Sequence, residues 1–179
     1  MELVQCSRTN PEYKKIRDEH YVANHGCIGR QLHYLIYDGL DIIGIISGAS
    51  AVWAVQPRDA FFGIDKTNRV EKIGAIIDNV VFRLIKNEHN LATMILKLWR
   101  NKVVKDWEAK YGSPVVGFET FVFGDKRTGA CYKADNWTFV GTTKGSTKLH
   151  EHGCYNPQTR VKTVPKLIFC RFIQTGKSK

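Results

Sequence analysis

Three things are missing from this sequence: a Cys-x-x-Cys pair, a glycine-rich phosphate loop, and an apolar run near the roughly 18 residues that span a bilayer. The five cysteines, Cys6, Cys27, Cys131, Cys154 and Cys170, are odd in number and widely spaced, which favours reduced thiols over a disulfide framework. Met1 to Cys6 has neither the basic start nor the long apolar stretch of a secretory signal. A cytoplasmic protein with no membrane partner is therefore expected. Low-complexity tracts, internal repeats and long linkers are also absent, so 179 residues are expected to form one domain over 1–179.

Acidic residues are the scarcer charge, 17 against 27 basic ones, for a net charge of +10. Residues 144–179 form a basic C-terminal segment that carries the last strand, with eight basic residues and one acidic. Such asymmetry suits a polyanion, and nucleic acid is the commonest one. A solvated basic surface kept for solubility is the alternative. His150-Glu151-His152-Gly153-Cys154 is rich in metal-ligating types, yet its spacing matches no zinc motif. A polar loop is expected there, and no metal.

Periodicity sets the elements. Asn10 followed by Pro11 starts a helix that runs to about Tyr21. Gln31 to Tyr37 and Asp41 to Ser47 flank Asp38-Gly39 as a hairpin. Short helical turns are expected over Ala51 to Gly63 and Asp65 to Gly74. A strand from Asn79 to Ile85 leads, through the turn Lys86 to Asn90, into a helix from Leu91 to Tyr111. Leu91, Ile95, Leu98, Trp99, Trp107 and Tyr111 recur there near helical spacing. Gly112 and Pro114 end that helix, and a strand from Val115 to Phe123 follows. Cys131 to Asn136 reads as either a short helix or a turn. Trp137 to Gly141 and Val164 to Ile173 are the remaining strands. The alternation gives an α+β fold with a mixed, mostly antiparallel sheet flanked by helices.

Two charges stand in apolar strands, Arg83 in Val-Val-Phe-Arg-Leu-Ile and Glu119 in Val-Val-Gly-Phe-Glu-Thr-Phe-Val. A charge in such a run is costly unless paired or used. If the strands are neighbours, the two side chains face each other or share a cleft. They then form either a register-fixing salt bridge, or a general base (Glu119) with a clamp for an anionic or carbonyl group (Arg83). The turn Asn87 to Thr93, with Asn90, precedes a helix N-terminus that favours phosphate, although an ordinary Asn cap explains it as well. Tyr34, Trp53, Trp137 and Tyr132 are candidate stacking aromatics, with core packing as the alternative. Tyr132 and Asn136, beside polar neighbours, are the better functional candidates among them.

An ordered series of short matches runs from His20 to Gly145. It comprises His20-Tyr21, Gly29-Arg30-Gln31-Leu32, Tyr34-Leu35-Ile36, Trp53, Arg58-Asp59, Asn79 to Leu84, Asn90-Leu91-Ala92 and Asp106-Trp107. It continues through Tyr111-Gly112, Pro114, Glu119-Thr120-Phe121-Val122, Gly129, Cys131-Tyr132, Ala134, Asn136-Trp137, Gly141 and Thr143. On these residues the chain resembles the superfamily that holds the Mu-type phage DNA modification protein Mom and the A protein of Druantia anti-phage systems. Glu119 stands where the Mom pattern has Asp, and Glu-Thr-Phe-Val is closer to the Druantia-type branch.

The resemblance implies a GNAT-like fold whose sheet splays open, with the helix from Leu91 following the fourth strand. It implies a DNA-modifying transferase that places a carbamoylmethyl group on the N6 amine of adenine and shields phage or prophage DNA from restriction. Arg83 and Glu119 hold the places of the arginine and carboxylate implicated in that family. For adenine modification Glu119 is the expected base near the amine, and Arg83 or Tyr132 the expected group polarising the donor. Arg30, Tyr34, Trp53, Arg58, Asn79, Asn90, Asn136, Trp137, Lys144 and Lys148 are the expected substrate and double-stranded DNA contacts. The donor stays open between an acyl-CoA-like molecule, a charged tRNA and a small metabolite. A nucleic-acid-binding module of a defence or mobile element, without chemistry of its own, is the second reading. A GNAT-type acetyltransferase acting on protein or a small amine is the third.

Overall fold

The computed structural model describes residues 1–20, 29–151, 154–162 and 164–173, with side chains described outside 146–163. Nine strands and five helices follow one another among these residues. They are β1 (Glu2–Cys6), α1 (Pro11–Asp18), β2 (Gln31–Asp38), β3 (Asp41–Ser50), α2 (Gln56–Phe62), α3 (Arg69–Gly74), β4 (Ile76–Leu84), α4 (Leu91–Tyr111), β5 (Gly117–Phe123), α5 (Ala130–Ala134), β6 (Thr138–Thr142), β7 (Ser146–Glu151), β8 (Cys154–Lys162) and β9 (Lys166–Phe172).

A seven-stranded sheet in the order β1-β2-β3-β4-β5-β9-β6 carries the fold, with β7 and β8 as a separate antiparallel pair. Every neighbouring pair in the large sheet is antiparallel except β4 and β5, which run parallel. Parallel neighbours need a crossover, and α4 is that crossover. Its 21 residues span about 30 Å and bury Leu91, Ile95, Leu96, Trp99, Val103 and Trp107 against the sheet. Gly112, at φ 63, closes the helix in the left-handed region.

The two faces of the sheet have different covers. On the α4 side, Trp99, Val103, Phe118, Tyr132, Trp137 and Phe169 form the main cluster. On the other side, Tyr13 and Ile16 of α1 pack on Leu35 and Ile45, and Phe62 of α2 and Ile73 of α3 pack near Ile76, Ile168 and Cys170. Gly48 lets α4 settle close on β3, since a Cβ there would stand 2.7 Å from Ile77 Cγ2 and 3.2 Å from the Trp99 ring.

The expected Asn10 cap forms, its side chain accepting from the Tyr13 amide at 3.1 Å. The helix it starts ends at Asp18, sooner than expected, and Tyr21 lies outside the described residues. Cys131 to Asn136 resolves into α5 followed by a turn. The β1 strand and the β7–β8 hairpin were not expected.

Candidate active site

The parallel ladder between β4 and β5 is only three pairs long: Ile76 with Gly117, Ile77 with Phe118, and Asp78 with Glu119. Immediately beyond, the β3–β4 register shifts. Ser47 pairs with Val81 and Gly48 with Asn79, leaving Val80 as an extra residue on β4. A bulge of this kind bends its strand, and here it marks where β4 leaves β5. Ile76 to Asn79 are buried, whereas Val80 to Leu84 are half-buried.

Side chains hold the crotch of this fork where backbone pairing stops. The Thr120 hydroxyl donates to the Asn79 carbonyl at 3.0 Å, and the Asn79 amide donates to the Ser47 carbonyl at 3.0 Å. Tyr132, carried by α5, donates its hydroxyl to Asn79 Oδ1 at 2.7 Å. The Tyr132 ring is fixed between Trp137, at 5.1 Å, and Phe169, at 5.9 Å. This phenol, amide and hydroxyl cluster lies on the α4 face.

Carboxylates gather on the opposite face. Register puts Asp78, Glu119 and Cys170 side by side on β4, β5 and β9. Glu119 has no solvent exposure. One of its oxygens accepts from the equally buried Arg58 guanidinium, and the other accepts from the Val52 amide at 2.8 Å. Arg58 also donates to Asp59 at 2.7 Å and to the Val52 carbonyl. Arg69 bonds Asp59 and the Trp53 carbonyl, both at 2.8 Å. The two guanidiniums therefore answer Glu119 and Asp59, and Asp78 is a third carboxyl whose Oδ1 has no partner. Burial, then the Glu119 charge, holds Asp78 well above the usual carboxylate range, so it is the group that keeps its proton. Burial pushes Glu119 up to about 7 against the pull of Arg58 and of the Val52 amide. A carboxyl tuned near neutrality suits a general base.

Arg83 and Glu119 do not meet. Arg83 lies beyond the bulge, bonded to the Glu19 carboxylate at 2.8 Å and to the Glu19 carbonyl. The guanidinium facing Glu119 belongs to Arg58, which is sealed in the core and has no surface to offer DNA. Close to Arg83, His20 bonds the Phe82 carbonyl at 3.3 Å, and the positive charges of Arg83 and Arg127 act on its ring. These basic groups stand at the open part of β4.

Three of the four expected stacking aromatics are core residues, the Tyr132 described above among them. Tyr34 is fully buried and donates to Asp106 at 2.9 Å. Trp137 is buried and donates its indole N–H to Asp135 at 2.8 Å. Both rings satisfy a polar tip from inside the core, as buried aromatics do. Trp53 remains, 60% exposed, on the loop whose backbone Glu119, Arg58 and Arg69 hold. Arg30 is exposed, bonded to Ser113 and 5.3 Å from the centre of the Tyr111 ring. Asn136 takes a left-handed conformation, φ 59, and its carbonyl accepts from Arg171 at 2.8 Å. Asn90 is left-handed as well, φ 59, and makes no side-chain cap, so the ordinary capping explanation fails. Lys144 is exposed beyond β6. The side chains of Lys148 and of His150 to Cys154 lie outside those described.

Asp78 and Arg58 were the members that sequence reasoning left out of the catalytic set. The signal for Asp78 was an acidic residue inside the apolar run Ile76 to Leu84. A cavity of about 640 Å³ lies away from the fork, against Phe62, Ile76, Val116 and Phe172 at the other end of the ladder. Among the described residues no helix is long and apolar enough to cross a membrane.

The architecture is similar to that of solved acetyltransferases. An acetyltransferase from Bacillus subtilis in complex with CoA is 10% identical, with a TM-score of 0.53 over 96% of this chain and 97% of that one. The aminoglycoside acetyltransferase AAC(6')-Ib, in complex with coenzyme A and kanamycin, is 14% identical, with a TM-score of 0.50 over 80% of this chain and 67% of that one. At these identities the likeness is one of fold, and it fits the expected GNAT-like architecture. No curated protein matches the sequence. The family model of Druantia protein DruA matches residues 1–166, and the chain belongs to that family.

Proposed function

We propose that this protein is a transferase that carries a group from an activated donor to the N6 amine of adenine in DNA. The observation that carries the reading is the fork between β4 and β5, with Tyr132, Asn79 and Thr120 on one face and Glu119 and Asp78 on the other. The two solved acetyltransferases bind CoA, so a donor of acyl-CoA type is one candidate, and an aminoacyl ester on tRNA is another. Either would enter the opening beyond Asn79 and Thr120, with Arg83 and Arg127 supplying positive charge for its anionic part beside the His20 ring, which burial and these charges keep neutral.

The N6 lone pair is delocalised into the purine ring, so the amine needs help from both sides. Its nitrogen attacks the electrophilic carbon of the donor and forms the C–N bond. The proton shed by N6 passes to Glu119. The bond from that carbon to the donor's sulfur or oxygen breaks, the electron pair leaves with the donor, and Tyr132 supplies a proton to the departing atom. Glu119 becomes reachable when the Val52 amide releases it, so the Trp53 loop governs access. Trp53 then offers the exposed ring on which an extruded adenine stacks.

One observation favours the second reading, a binding module without chemistry. Both oxygens of Glu119 are engaged inside the protein and the residue is fully covered. Nucleoside analysis of DNA exposed to the protein separates the two. An adenosine bearing an added group supports the transferase. A salt-sensitive complex with unaltered DNA supports the module.

A further inference from the structure

The outer side of α4 carries Lys97, Asn101 and Lys105 at i, i+4 and i+8, all exposed. Beside them Arg100 and Val104 face Arg171 and Ile173 at the end of β9. With Phe118 these residues line a groove of about 490 Å³, on the sheet face opposite α1 and away from the buried carboxyls.

Charge in the groove does not balance. Asp135 is the acid bonded at its inner wall, and both of its oxygens are taken by Arg100 at 2.7 Å. Arg171 is left with backbone carbonyls alone, those of Asp135 and Asn136, and its Nε is buried without a partner. Burial and the neighbouring Arg100 charge lower the Arg171 pKa, with the Asp135 charge pulling the other way. A phosphate in the groove would supply negative charge to these cations. Lys97 and Lys105 lie two turns apart, about 12 Å along the helix, close to the rise of three to four base pairs. Val104, Phe118 and Ile173 give the floor an apolar strip suited to sugar faces.

We propose that this groove is a phosphate-binding site that holds the backbone of duplex DNA, an inference that rests on the nucleic-acid reading above. Most of the site lies on α4, outside the basic C-terminal segment that composition alone favours; that segment contributes Arg171 and Ile173 to its edge.

The test measures affinity of the full chain for duplex DNA across a salt series, for the wild type and two doubly neutralised variants. Lys97→Gln with Lys105→Gln removes two cations from the groove. Lys14→Gln with Lys15→Gln removes two exposed cations from α1, on the other face of the sheet. The groove variant is expected to bind more weakly, with a log–log salt slope shallower by about two, while the α1 variant stays near the wild type. An unchanged slope in the groove variant, or equal losses in both, overturns the groove as a specific site. Wild-type protein that fails to bind DNA at all overturns the nucleic-acid reading, and the groove with it.

Discussion

At the scale of single residues, Asp78 and Glu119 sit opposite each other on parallel strands, and one guanidinium, Arg58, is bonded to Glu119. Removing Arg58 leaves Glu119 and Asp59 buried without that partner. Arg58→Ala is expected to cost about 3–5 kcal/mol, read by chemical denaturation, and a loss below 1 kcal/mol contradicts the pairing. In the proposed reaction Glu119 must be ionised to accept the N6 proton. With Glu119 raised to about 7 by burial, turnover is expected to rise with pH through about 7, and Glu119→Gln should show no turnover on either side of that pH. A flat profile across neutrality in the wild type contradicts the assignment. Sequence singled out Glu119 because an apolar run shows that a charge is buried. It named the wrong cation because a run does not show which charge meets it. Arg58 stands among Gln56, Pro57 and Asp59 in a short helix, where local pattern reads as surface, and only tertiary packing seals it.

At the scale of elements, α1 is pinned to the sheet by one polar knot. The Tyr13 hydroxyl and the Ser47 hydroxyl meet at 2.7 Å, and His33 Nδ1 lies 3.1 and 3.0 Å from them. Burial lowers the His33 pKa from 6.5 to about 4. The unfolded chain therefore binds a proton before the native one does, and stability is fully present above pH 6.5 and falls as pH drops towards 4. The stability difference between wild type and His33→Gln is expected to shrink by about 1 kcal/mol per pH unit across that window. A pH-independent difference contradicts the buried neutral imidazole. Long periodic elements were legible in the sequence: α4 has the expected bounds, and the β2–β3 hairpin forms around Gly39. Elements without a strong period were not. The edge strand β1 buries one side chain of five, and the β7–β8 hairpin is written in polar and basic residues that read as a tail.

At the scale of the whole molecule, a single parallel pair in an otherwise antiparallel sheet creates the fork, and the α4 crossover forces that pair to be parallel. The strand–helix–strand order was readable, because α4 lies between two apolar strands. The bulge at Val80 that opens the fork was not, since an extra residue in one strand leaves no mark on its hydrophobic pattern. The charge of +10 and the DruA family match bear on the same question, whether this fork modifies DNA. Mass spectrometry of nucleosides from plasmid DNA, isolated after expression of the chain in bacteria, answers it most directly. Glu119→Gln and Arg83→Ala variants serve as controls. The transferase reading predicts an adenosine species about 57 mass units heavier, the net gain when a carbamoylmethyl group, or the isomeric glycyl group that acyl transfer from an aminoacyl ester leaves, replaces a hydrogen of N6, present with the wild type and lost with Glu119→Gln. Unmodified adenosine from cells that hold abundant, folded wild-type protein contradicts it.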